Sequence, residues 1–177
     1  MLLPALFLFV RLCGLALVEG DGTNGFKSIE KEADDKKIKK ITTKAPKTGT
    51  TPFADAIEEA VDFVRPTAGR RYLIVKAEDR KALLDELRQA TANANVRIKN
   101  DDAEIASEVG VDEIIVYTGT KAVKPTVLVD QKYHIDMQDI TKVDAFEWKT
   151  NSNMILVETL TSGHVETYNA GAVITVA

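Results

Sequence analysis

Between Thr51 and Asp130 the spacing of apolar residues switches repeatedly between a helical and an extended period. Such alternation commits a chain to a sheet covered by helices. Thr51-Pro52 has the N-cap and first-turn chemistry of a helix start, and Pro66 marks its stop. Between them Phe53, Ala56, Ile57, Ala60, Val61 and Val64 recur at helical spacing. Arg71 to Ala77 (RYLIVKA) suits a buried strand. Asp79 then caps a helix whose apolar face holds Leu83, Leu84, Leu87, Ala90 and Ala94.

Asn95 to Lys99 (NVRIK) alternates as a half-buried strand does. Asp101 and Glu104 are spaced as a capping pair for a short helix carrying Ile105, Ala106 and Val109, which Gly110 is placed to end. The runs EIIVYT and TVLVD follow, and the short connection between them predicts an antiparallel pair. Met137 to Trp148 carries a fair helical stripe. The expected class is α/β with a mixed central sheet covered on both faces.

The N-terminal residues Met1 to Val18 are apolar except for Arg11, and the run Leu2 to Val10 has the length of a signal-peptide core. Residues 1–20 therefore read as a cleaved leader, with Val18 and Gly20 before the cut and Asp21 starting the mature chain. The expected location is the endoplasmic reticulum lumen or the cell exterior. The single cysteine, Cys13, lies inside that leader, so the mature chain has no thiol for disulfide, nucleophilic or metal chemistry. No second apolar segment approaches spanning length, so no stable membrane insertion is expected.

Residues 21–51 are rich in lysine (Lys27, Lys31, Lys36, Lys37, Lys39, Lys40, Lys44, Lys47) and end in TTKAPKTGTT. With few apolar residues, this stretch reads as a flexible linker. Its lysines are interspersed with Glu30, Glu32, Asp34 and Asp35, the pattern of a solvated tail. The whole chain carries a formal net charge of −4, which argues against nucleic acid as a partner.

The order of elements resembles the thioredoxin-like fold, and the non-catalytic domains of the protein disulfide isomerase family in particular. RYLIVKA followed by EDRKALLDELRQATA, then NVRIK, DAEIASEVGV and EIIVYT, carry the likeness over residues 52–150. The resemblance implies a three-layer sandwich with a mixed central sheet. Residues 151–177 resemble the strand, helix and strand that open a second such unit, with Thr161 or Ser162 as cap and Gly171 as closure. The alternative is a single domain that uses this tail as an extra hairpin. Active members of the family hold Cys-x-x-Cys where this chain has Glu78-Asp79-Arg80-Lys81, so no redox activity carries over. Pro125 resembles the cis proline beside the thioredoxin active site; read by itself, it is a turn proline before a strand.

Other chemistry finds little support. His134 and His164 lack metal spacing and read as surface residues. The pairs Asp34-Asp35, Asp101-Asp102 and Asp112-Glu113 have no calcium-loop pattern and read as caps or solvated faces. Phe146 and Trp148 read as core or interface anchors, and an acid–base pair from Asp136, Asp139 or Glu147 has no motif behind it. No catalytic, cofactor-binding or metal-ligating residue is assigned, and no cofactor is expected. The expected function is a redox-inactive, chaperone-like or scaffolding protein that binds protein clients or partners, in an oligomeric state the sequence leaves open. The alternatives are a secreted enzyme without a visible motif and a truncated fragment of a multi-domain protein.

Overall fold

The computed structural model describes residues 27–44, 50–92, 98–120, 122–137, 141–147, 152–158 and 161–177. Nine strands and three α-helices occur among them: β1 (Ile38–Thr43), α1 (Pro52–Val64), β2 (Arg71–Lys76), α2 (Ala77–Thr91), α3 (Asp102–Val109), β3 (Glu113–Tyr117), β4 (Thr126–Val129), β5 (Tyr133–Met137), β6 (Thr141–Glu147), β7 (Ser152–Glu158), β8 (Thr161–Val165) and β9 (Gly171–Val176). Five of the strands form a mixed sheet in the order β1-β9-β4-β2-β3. The outer pairs β1–β9 and β2–β3 are parallel, while β4 runs antiparallel to both β9 and β2.

One face of this sheet carries the main core. Ile41, Leu73, Val75, Ile114, Val127, Val129, Ala172 and Ile174 pack in a single cluster with apolar residues of all three helices, among them Phe53, Ile57, Leu83 and Ile105. The register explains the shared face: Leu73 lies beside both Val127 and Ile114, and Val127 beside Ala172. With all three described α-helices on one side, the expected three-layer sandwich does not form. On the opposite face Ile38, Leu128 and Val173 meet Ile29, Val165 and Ala170 in a smaller cluster. The cover there is Ile29, in a short 3-10 turn (Ile29–Lys31), with the strand root at Tyr133 and Val165.

Several expectations hold locally. α1 spans the predicted stripe, and β2 is an interior strand. The Asp101 carboxylate accepts from the Ala103 N–H, and Gly110 ends α3 at φ 76°. Such a left-handed φ is one that only glycine adopts at little cost. Pro125 lies in irregular chain directly before β4, and no cis peptide occurs among the described residues.

Other expectations are corrected. The presumed linker contains β1, because Ile38, Ile41 and Thr43 are buried while exposed lysines flank them. β3 and β4 do not pair with each other: β2 lies between them, since both of its edges have partners. Asp79 is not the N-cap of α2, which continues from β2 without a loop; Lys76 holds that position. The described residues of the stripe from Met137 to Trp148 are the end of β5 and β6; in the tail the predicted opening strand is present as β7, and the helix is replaced by β8 and a turn. Gly171 opens β9 instead of closing a helix, and β9 enters the five-stranded sheet between β1 and β4. Residues 95–97 of the predicted strand at Asn95 to Lys99 and the whole leader, residues 1–20, lie outside the described residues, while Ile98 and Lys99 belong to no strand.

Candidate functional site: a stacked hairpin and the strand edges

Between β4 and β9 the chain makes two nested antiparallel pairings. β5 pairs with β8, from Tyr133 opposite Val165 to Met137 opposite Thr161. β6 pairs with β7, from Thr141 opposite Glu158 to Glu147 opposite Ser152. The two registers differ by one residue.

The root of this ribbon is tied down from the N-terminal side. The Lys27 N–H donates to the Gly163 carbonyl at 3.0 Å, and the Tyr133 hydroxyl donates to the Lys27 carbonyl at 3.0 Å. The Lys37 ammonium donates to the Val165 carbonyl at 2.9 Å. Glu32 fixes the turn beneath: its carboxylate accepts from Lys27 Nζ and from the N–H groups of Ala33 and Asp34. Burial pushes the Glu32 carboxyl upward, but the Asp34 N–H, the Lys27 ammonium and the Ala33 N–H outweigh it and hold it below its usual range.

His134 and His164 face each other across β5 and β8, and each Nε2 lies near Glu166, at 3.6 and 3.4 Å. Their side chains are well exposed, and no group of residues among those described is arranged to hold a metal ion. The acidic pairs are structural. Asp34 accepts from the Lys36 N–H, Asp101 caps α3, Asp102 pairs with Arg80, Asp112 accepts from the Arg71 N–H and Glu113 pairs with Arg70. Asp139 and Trp148 lie outside the described residues.

A groove of about 290 Å³ runs between α1 and α3, lined by Glu58, Asp62, Arg65 and Ser107 among others. Among the described residues no helix is long and apolar enough to cross a membrane. Among the described residues, β1 and β3 are the outermost strands of the main sheet, and β5–β8 and β6–β7 are two-stranded. Sequence reasoning missed β1 because its two isoleucines sit among lysines. Their spacing of three residues gave no period-two signal.

Two curated proteins match the chain closely. The capsid protein of Lactococcus phage p2 is 90% identical over 167 residues, which is 94% of this chain. The capsid protein of Lactococcus phage SK1 matches with the same identity and coverage. The chain spans 42% of the length of these relatives. No protein-family model matches the chain. Among solved structures, the capsid of an empty GTA particle superposes with a TM-score of 0.56 at 12% sequence identity, covering 98% of this chain and 64% of that one. That likeness shows the fold, which is one that a capsid protein uses.

These findings overturn the resemblance to the protein disulfide isomerase family and the chaperone-like, client-binding function drawn from it. The secretory location falls with it, because the relatives are phage capsid proteins. The alternative of a secreted enzyme does not match those relatives either. The mixed α/β sheet stands, and the thioredoxin-like arrangement does not. The expectation that the chain is not an enzyme agrees with relatives that are capsid proteins.

Proposed function

We propose that this chain is a building block of a phage capsid shell, with a structural and not a catalytic role. The observation that carries the reading is the 90% identity to phage capsid proteins over 167 residues. The fold shared with the capsid of an empty GTA particle supports it independently of sequence. On this reading the partners are other protein subunits of the shell, neither nucleic acid nor lipid is required, and the place of action is the virion.

An exchange tests it. The matching residues of the Lactococcus phage p2 capsid protein are replaced by those of this chain, and the products are sedimented and imaged by negative stain. Closed shells of uniform size are the expected result. Soluble, folded protein that never forms shells would remove the reading.

A further inference from the structure

Two apolar clusters lie on opposite faces of the main sheet, and they are closed by different means. On the helix side the closure is apolar packing by α1, α2 and α3. On the other side the chain from Lys27 to Lys37 forms a strap to the ribbon root, tied down by polar bonds at three places. At its start Lys27 meets both strands of the root, through its N–H to the Gly163 carbonyl and its carbonyl to the Tyr133 hydroxyl. Midway, Glu30 pairs with Lys124 at 2.8 Å. At its end the Asn169 N–H donates to the Lys36 carbonyl at 2.8 Å, and the Ala170 N–H to the Lys37 carbonyl at 2.9 Å. The Lys37 ammonium adds its bond to the Val165 carbonyl. Ile29 supplies the apolar contact, clustered with Val165 and Ala170.

Glu32 sets the shape of this strap. Its carboxylate gathers the Lys27 ammonium at 3.2 Å, the Ala33 N–H at 2.9 Å and the Asp34 N–H at 3.2 Å. The residue that meets the ribbon and the turn that leads toward β1 are thus drawn onto one anion. β1 follows Lys37 directly, so the strap runs from the ribbon root into the sheet.

We propose that residues 27–37 are a latch: released at Lys27 and Glu32, they lift off the sheet together with the root of β5 and β8 while the helix-covered core stays folded. Hydrogen bonds and partly exposed ion pairs contribute little net stability, because water competes for the same groups. Apolar packing meets no such competition. Proteins open locally in cooperative units along such differences. Here shared bonds define the unit, since Lys27 cannot leave Gly163 and Tyr133 without freeing both strands of the root. The latch goes beyond the shell reading and does not depend on it. In a shell subunit it would serve as a joint, at which the ribbon root resets without unfolding the core.

Native-state hydrogen exchange on the full chain, read by peptide mass spectrometry over a series of low urea concentrations, tests it. Peptides covering residues 27–37, Tyr133–Met137 and Thr161–Val165 report the strap and the root, and peptides covering β2 report the core. Three variants are compared with the original chain: Glu32→Gln, Lys27→Met and Ile57→Val. Ile57 is fully buried in the helix-side cluster. Circular dichroism verifies that each variant is folded.

In the original chain, strap and root should share one opening and be at least about tenfold less protected than β2. Glu32→Gln and Lys27→Met should each speed exchange by about threefold to tenfold at strap, root and β2 alike. Bonds lost in the partial opening are lost in complete unfolding too. Ile57→Val should speed exchange about fivefold at β2 and leave strap and root unchanged, because its packing survives the opening. Three results overturn the latch: a Glu32→Gln chain in which the strap alone exchanges faster, an Ile57→Val chain in which strap and root speed up as much as β2, or root exchange unchanged in both Glu32→Gln and Lys27→Met. Shell formation by the exchanged capsid protein is a separate readout, and its failure would leave the latch standing.

Discussion

The Glu86 carboxylate, on the buried side of α2, accepts a hydrogen bond from the Phe53 N–H in the first turn of α1 at 3.1 Å. The same carboxylate takes the Ala54 N–H at 3.0 Å, and the Glu86 side chain lies among the buried polar groups. A helix start leaves its first N–H groups without partners, and its positive dipole end favours an anion. Thr51 occupies the N-cap position but makes no cap bond; its hydroxyl donates to Asp55 instead. The cap of α1 thus comes from another helix. Glu86→Ala should cost about 1–3 kcal/mol, since two buried donors lose their acceptor. Glu86→Gln, which keeps one acceptor oxygen, should cost less. Urea unfolding measures both.

The pH dependence of stability should show two limbs. Burial holds the Glu86 carboxyl above its usual range, against the opposing hydrogen bonds from Ala54 and Phe53. Its contribution is therefore complete below the unfolded carboxylate pKa and is lost as pH rises through the higher folded value. Glu32 is held low, so its contribution is present above the unfolded value and is lost as pH falls through the folded one. Urea midpoints measured from about pH 3 to 7 should lose the first limb in Glu86→Gln and the second in Glu32→Gln. Unchanged profiles in both variants would contradict the assignment.

Gly171 is required by close approach, not by an unusual φ. A Cβ there would meet the Val127 carbonyl oxygen at 2.7 Å and the ends of Ile38 and Leu128 at 3.3 Å. The carbonyl belongs to a neighbouring strand and cannot swing aside. Gly171→Ala should destabilise by about 1–3 kcal/mol, as overpacking does. A variant as stable as the original in thermal unfolding would refute the packing described for β9.

Ile38 separates the strand from the linker that the sequence suggested. It is fully buried, at 0% exposure, in the smaller core with Leu128 and Val173. Ile38→Ala should cost about 2–4 kcal/mol. Lys40→Ala, at an exposed position two residues on, should stay within about 0.5 kcal/mol. In a flexible linker both substitutions would be silent.

Local chemistry was legible wherever one short segment carried the whole signal. The stripe of α1, the buried run of β2, the Asp101 cap and the Gly110 stop all follow from neighbours within a few residues. What failed depended on distant partners. β1 is a strand because β9 lies beside it, and that pairing joins Ile38 to Gly171. Met137 to Trp148 was misread because its sparse stripe fits a helix as well as an alternating strand; only the pairing with β7 decides. Glu86 was missed because a carboxylate capping another helix leaves no mark in its own segment. The tie between the N-terminal segment and the ribbon root was hidden for the same reason, since Lys37 meets Val165 across more than a hundred residues.

The place of β9 between β1 and β4 has a consequence for the order in which the molecule is assembled. β2, α2, α3 and β3 are contiguous in sequence and can condense early, with short loops to close. β1 has no partner until β9 arrives from more than a hundred residues downstream, so the sheet is completed last from both ends of the chain at once. Closing so long a loop is entropically slow, yet the stacked hairpin shortens it. By pairing first, β5 and β8 bring Val129 and Ala170 together, where the Val129 N–H donates to the Ala170 carbonyl at 2.9 Å, and deliver β9 to its slot. Refolding kinetics would then be paced by the ribbon root, and a loosened root would leave β1 waiting longest.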